Sequence, residues 1–309
     1  VKKPSIRSIL VYSPPADRHA LRDAKFLAKA TGARLKIADA IEPVPLHVQV
    51  WLPQSSRMAE ALRANVENRL HRKIAGLKAE GVRADFAILE GTPDAALLRE
   101  VARGGYDLLM VGAARTPEGR LSTRALRLLR KCPCPVWIEG ARAVRGESRV
   151  LAALDAIPGD EDRAELNGKI VALAATLAKA CGAELHLVNA WEAYGESLLR
   201  SRLGAKPEDI ARYAAEIQHH HAEEIRNVLR RARVHVAPEA VHLIKGPAAE
   251  VLPAACRKWK ASILVLGTVA RSGLSAALIG NTTESVASFL PCSMLAVKPD
   301  PDKTEEAPS

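Results

Sequence analysis

The chain has 309 residues, 48% of them hydrophobic and only 4% aromatic, with a formal net charge of +10. That length predicts two domains, and no apolar run approaches the ~18–20 residues of a membrane span. The scarcity of aromatic rings excludes an extensive stacking platform for single-stranded nucleic acid.

The N-terminus runs at once into a short apolar strand, "ILVYSP" at 9–14, with no long apolar stretch and cleavage site before it. The chain is therefore read as soluble and cytoplasmic. A helix follows, with Leu21, Ala24 and Leu27 on its core face, and then "KATGARLKIADAIE" at 29–42. There Gly32 supplies the left-handed residue that ends the helix, and a strand begins immediately. A long helix is predicted from Ser55 to Glu80, because Met58, Leu62, Val66, Leu70, Ile74 and Leu77 share one face. The segment "AILEGTPDAALLREVA" at 87–102 reads as strand, turn and helix, with Pro93 at the helix start. "YDLLMVGAAR" gives the fourth strand, a basic helix follows, and "CPCPVWIE" gives the fifth strand.

The same series then repeats. "VLAALD" at 150–155 opens it, and "KACGAELHLVNAWE" at 179–192 restates 29–42, with Gly182 at the helix end. The preceding helix buries Ile170, Leu173, Ala174, Leu177 and Ala178 on one face. "HLIKGPAAEVLPAAC", "ASILVLGTVAR" and "LPCSMLAVK" complete the second copy in the same order. Short strands without polar alternation, joined by helices, predict a parallel sheet covered on both faces. The fold class is α/β: two tandem doubly wound, Rossmann-like domains, each with a crevice at its strand C-termini. Their expected bounds are 1–141 and 147–299, with an acidic, Pro-rich tail at 300–309 expected to be disordered.

Charge is divided unevenly. Residues 1–146 hold 26 Lys+Arg against 14 Asp+Glu, whereas residues 147–309 hold 19 against 21. In the first half Arg120, Arg124, Arg127 and Lys131 recur at spacings of four, three and four, on one helix face. Two readings stand: a solvated face, or an anion site for nucleic acid, lipid phosphate or an acidic partner. The five cysteines are an odd and scattered set, which argues for buried thiols rather than a disulfide framework. His219-His220-His221 is read as an exposed helical stretch, because successive helical residues point about 100° apart. His186, between Leu185 and Leu187, is read as packed in its strand. No Ser-His-Asp or paired-carboxylate arrangement is visible.

The repeats, with "VLGTVARSGLSAALIGNTTESV", "LLRKCPCPVWIE" and "KIVALAATLAKACGAELHLVNAW", resemble the tandem universal stress proteins, most of all the E-type members of enterobacteria. That resemblance covers nearly the whole chain and is weakest at 43–85 and 190–240. It implies an adenine nucleotide α hydrolase-like fold and a pseudo-dimer of the repeats, pairing Val136–Ile138 with Met294–Val297. Homodimer formation stays open. Nucleotide-binding members carry an Asp at the end of the first strand and G-x-x-G-x9-G-[ST] after the fourth. Here the Asp falls on Asp155, and the loop falls on Gly267, Ala270, Gly280 and Asn281. The middle glycine is thus Ala270 and the terminal hydroxyl residue is Asn281, with Gly273 as an extra glycine.

By that resemblance ATP or another adenine nucleotide, with Mg, would meet Asp155 at its adenine or ribose edge. Gly267, Thr268, Gly280, Asn281 and Thr282 would surround the phosphates, and Arg271 could add charge-assisted contacts. The alternative is a well-formed turn that binds nothing. The first copy ends its opening strand in Tyr12-Ser13-Pro14 and has no match to Gly280, so no nucleotide site is expected there. The implied role is stress survival through ligand-dependent binding of a protein partner. A nucleotide-free adaptor and a weak ATPase are the rivals.

Overall fold

The computed structural model describes residues 6–15, 19–112, 121–140, 148–268 and 281–299, the side chains of 281 and 282 excepted. The first repeat runs β1 (Ser8–Tyr12), α1 (Ala20–Thr31), β2 (Arg34–Ile41), α2 (Leu46–Trp51), α3 (Ser55–Ala79) and β3 (Ala84–Glu90). It continues with α4 (Pro93–Gly104), β4 (Leu108–Val111), α5 (Thr123–Lys131) and β5 (Val136–Ile138). The second begins β6 (Arg149–Leu154), α6 (Glu161–Cys181), β7 (Glu184–Trp191), α7 (Glu196–Ser201), α8 (Pro207–Ala232) and β8 (Val241–Lys245). It ends α9 (Ala248–Lys258), β9 (Ala261–Gly267), α10 (Asn281–Phe289) and β10 (Ser293–Val297).

The chain forms two compact units. One comprises Ser5–Ala143 and Ser293–Ala296; the other comprises Val144–Cys292 with Val297–Ser309 and Val1–Pro4. In the first unit the strand order is β3-β2-β1-β4-β5-β10. The five strands of the repeat are parallel, and β10 lies antiparallel on β5 with Leu295 opposite Trp137. The two apolar strands expected to pair do so. Pairing removes the open edge that buried Val136, Trp137 and Ile138 would otherwise present. The Gly140 N–H also donates to the Ser293 hydroxyl at 2.9 Å. Four residues from the end of the second repeat therefore belong to the unit of the first. In the other unit β9-β6-β7-β8 form a parallel sheet.

The helix ends follow the sequence. Gly32 and Gly182 sit at φ 70° and 62°, and each helix passes at once into its strand. Asp160 caps α6 by accepting from the Arg163 N–H at 3.0 Å, and Ser122 caps α5. The strands are buried on both faces: β1, β4, β6 and β9 carry almost no exposed residue. All five cysteines are buried and free, with Cys132 Sγ 3.5 Å from Cys134 Sγ. The neighbouring Cys132 thiol, and then burial, push the Cys134 thiol well above the usual thiol range.

Two expectations change. Short helices α2 and α7 interrupt the simple strand–helix alternation in both repeats. In α3 only Leu70, Ile74 and Leu77 of the apolar stripe are buried, while Met58 and Leu62 lie on the surface. No described helix is long and apolar enough to cross a membrane.

Candidate functional site

In the second unit a cavity of about 130 Å³ opens where β6 and β9 end. Asp155 follows β6, Gly267 ends β9, and Thr283 lies in the first turn of α10; all three line it. Apolar walls come from Leu166 and Ile170 of α6, Leu252 of α9 and Val286 of α10. This is the carboxyl end of a parallel sheet, where doubly wound folds form crevices because successive helices diverge there.

The backbone at Asp155 is fixed by two asparagines. Asn167 Oδ1 accepts from the Asp155 N–H at 3.2 Å, and its amide donates to the Asp155 carbonyl at 3.0 Å. The Asn189 amide donates to the Leu154 carbonyl at 2.9 Å. Both asparagines are buried. The Asp155 carboxylate accepts from the Arg163 guanidinium, which also donates to Asp160 at 2.7 Å. Arg163 therefore stands at the cavity between two carboxylates. Arg163 and Asn167 are cavity residues that the sequence motifs do not single out. Their signal was a polar pair four apart at the head of the apolar stripe that continues through Ile170 and Leu173.

A side chain at position 267 would press on Leu166 and Ile170. A Cβ there would stand 2.7 Å from Leu166 Cδ2 and 3.4 Å from Ile170 Cδ1. The Thr268 side chain is turned inward: its hydroxyl and N–H both donate to the Val297 carbonyl, and it is 4% exposed. Thr283 donates to the Gly267 carbonyl at 3.3 Å, tying the start of α10 to the end of β9. The described residues of α10 run from Asn281 to Phe289. Ala270, Arg271, Gly273 and Gly280, with the side chains of Asn281 and Thr282, lie outside the described residues.

The histidine run divides. His219 and His220 are exposed on α8 beside Glu223. His221, expected to be exposed, is half-buried, its ring 6.2 Å from that of Trp191. Burial holds its pKa below the usual imidazole value, and the Asp155 charge opposes that shift. The turn of α8 toward Trp191 at the end of β7 is a tertiary contact that the run of three histidines could not disclose. His186 is packed as expected: its Nδ1 lies 2.9 Å from His242 Nε2, and His242 stacks on Trp259. Among the described residues no group of three His, Cys, Asp or Glu side chains is arranged to hold a metal.

Among the described residues, cations of the first unit stand at its strand ends. Lys73 of α3 donates to the Ser13 hydroxyl at 2.8 Å and to the Ser13 carbonyl at 3.0 Å. Arg69 pairs with Asp39, and Arg22 pairs with Asp23 at 2.9 Å and approaches Glu139 at 3.7 Å. Of the basic helix face, Arg124, Arg127 and Lys131 are exposed on α5, while Arg120 lies outside the described residues. The Arg124 guanidinium sits 5.9 Å from the centre of the Tyr12 ring, and Arg127 pairs with Asp94 at 2.9 Å. Both cations already have intramolecular partners.

The sequence pattern described as "Universal stress protein family" matches residues 7–138 and again 148–298. The chain is 28% identical to universal stress protein E of Photorhabdus laumondii, covering 95% of each chain. It is 29% identical to universal stress protein E of Escherichia coli, over 93% of this chain and 92% of that one. Among solved structures it resembles a functionally unknown protein of Pseudomonas aeruginosa. That match has TM-score 0.70 and 27% identity, covering 96% of this chain and 94% of the other. Two matched segments that span both repeats, and relatives matched along nearly their whole length, show that this chain belongs to the universal stress protein family, in its tandem form.

Proposed function

We propose that this chain is a cytoplasmic stress-response protein whose second unit binds an adenine nucleotide, and that ligand occupancy governs a protein partner. The observation that carries the reading is the cavity bounded together by Asp155, Gly267 and Thr283. These residues come from three separate elements and meet where the fold provides a crevice. At about 130 Å³ the cavity is smaller than the ~300 Å³ at which pockets for whole drug-sized ligands begin. It suits a base-sized part of a ligand, with ribose and phosphates outside it toward the start of α10.

The donor set fits such a ligand. The Asp155 carboxylate offers acceptors, and the backbone N–H groups at the start of α10 favour an anion. Magnesium would enter with the phosphates rather than as a resident ion. Among the described cavity residues the one carboxylate is already held by Arg163, which favours a binding role over hydrolysis.

Isothermal titration of the intact chain with ATP, ADP and AMP tests the reading, alongside mass spectrometry of small molecules that co-purify. The intact chain is required because Ser293–Ala296 belong to the other unit. Saturable binding in the tens of micromolar or weaker is expected, because Ala270 and Asn281 replace a glycine and a hydroxyl residue. No heat with any of the three, and no co-purifying nucleotide, refutes it.

A further inference from the structure

Helix α2 buries none of its six residues, yet its sequence is Leu-His-Val-Gln-Val-Trp. Leu46, Val50 and Trp51 are 79%, 80% and 85% exposed, and Leu52, just beyond the helix, is 36% exposed. Helix α2 packs on α3, whose first turns add Met58 and Leu62 at 38% and 47%. The apolar stripe of α3 thus enters the core at Leu70 but begins three turns earlier, where the unit gives it nothing to cover. If that stretch faced only water, charged residues would serve there without loss.

The summed exposed area of these adjoining helices indicates the occupant. With ~200 Å² for each fully exposed large side chain, these six residues offer on the order of 700 Å². A standard interface covers ~800 Å² on each partner. The charges beside the patch alternate: Arg57, Glu60 and Arg63, the last paired with Glu90 at 2.8 Å. A rim of both signs suits a second copy of the same surface better than an anionic membrane, which would select for one sign. In the second unit the exposed apolar residues around α7 are fewer: Tyr194, Leu198 and Leu203, at 92%, 48% and 65%.

We propose that the α2–α3 hairpin is a homodimer interface, on which a second copy of the chain seats its own hairpin. Sedimentation velocity on the intact chain from 1 to 100 µM tests this, with Trp51 emission, taken as the difference between the parent and Trp51→Phe because the chain holds four tryptophans, recorded over the same range. The expected result is a concentration-dependent dimer, with Trp51 emission shifting to the blue as it leaves water. Val50→Glu and Trp51→Glu should each weaken association at least tenfold. Because α2 buries nothing, both variants should keep the parental circular dichroism and melting temperature. Phe289→Ser, a change to another exposed apolar residue, should leave the dimer intact. A chain that stays monomeric at 100 µM overturns the proposal. So does a dimer unaffected by both glutamates, and so does a monomer that instead co-sediments with phosphatidylserine vesicles through Trp51.

Discussion

Replacing Gly267 with Ala tests whether that glycine serves helix packing. The added Cβ would sit 2.7 Å from Leu166 Cδ2 and 3.3 Å from Leu166 Cγ. Carbon atoms prefer ~3.5–4.0 Å, so the nearer contact is almost an ångström too short. Overpacking of this kind costs ~1–3 kcal/mol, and Ala in place of Gly within a strand returns ~0.5–1 kcal/mol. The net expectation is a destabilisation of roughly 0.5–2 kcal/mol. Leu166 relieves part of the strain by moving into the adjoining cavity, which narrows the ligand site. Leu166→Ala alone should cost about 2–3 kcal/mol, near the lower end for such a truncation because the side chain borders open space. In that background the methyl at 267 has room, so Gly267→Ala should become stabilising by about 0.5–1 kcal/mol. The coupling in the double-mutant cycle is then ~1–3 kcal/mol. Native-state hydrogen exchange of peptides from β9 reads the second unit by itself. Equal destabilisation by Gly267→Ala in both backgrounds would show that Leu166 is not the reason for the glycine.

Three further outcomes are expected. Asp155→Asn should weaken adenine-nucleotide binding about tenfold by calorimetry, because the ligand loses a charged acceptor; unchanged affinity would remove Asp155 from the site. Lys73→Met should destabilise the first unit by about 1–3 kcal/mol in urea unfolding, since it strips a donor from the buried Ser13 hydroxyl and carbonyl; a neutral result would mean water replaces it. His242 is held down to about 4, first by burial, then by the charges of His186 and Lys258. Its folded value lies below its unfolded one, so the unfolded chain takes up the proton first. Its contribution to stability is complete above about pH 6.5 and lost as pH falls toward 4. NMR titration should place its midpoint near 4, and His242→Gln should flatten the acid limb of stability over that window; a midpoint between 6 and 7 contradicts the assignment.

The repeat, the parallel α/β class and the main strands were legible in the sequence because each depends on local chemistry. Gly32 and Gly182 mark helix ends by their backbone freedom, and apolar runs such as Ile263–Leu266 have only one environment available, a sheet covered on both faces. Asp155, Gly267 and the start of α10 were legible as candidates through the family pattern, although the middle of their loop lies outside the described residues. Other features depended on which distant segments meet. Arg163 holding Asp155, Lys73 filling the end of β1, and Thr268 turned toward Val297 are contacts between elements, and no periodicity encodes them. The stripe of α3 shows the limit most clearly. Its spacing determined that Met58 through Leu77 share one face, but only the tertiary structure decided that the face meets the core from Leu70 onward. A helix's period fixes which residues point together; where the neighbouring elements end decides how many of them are buried.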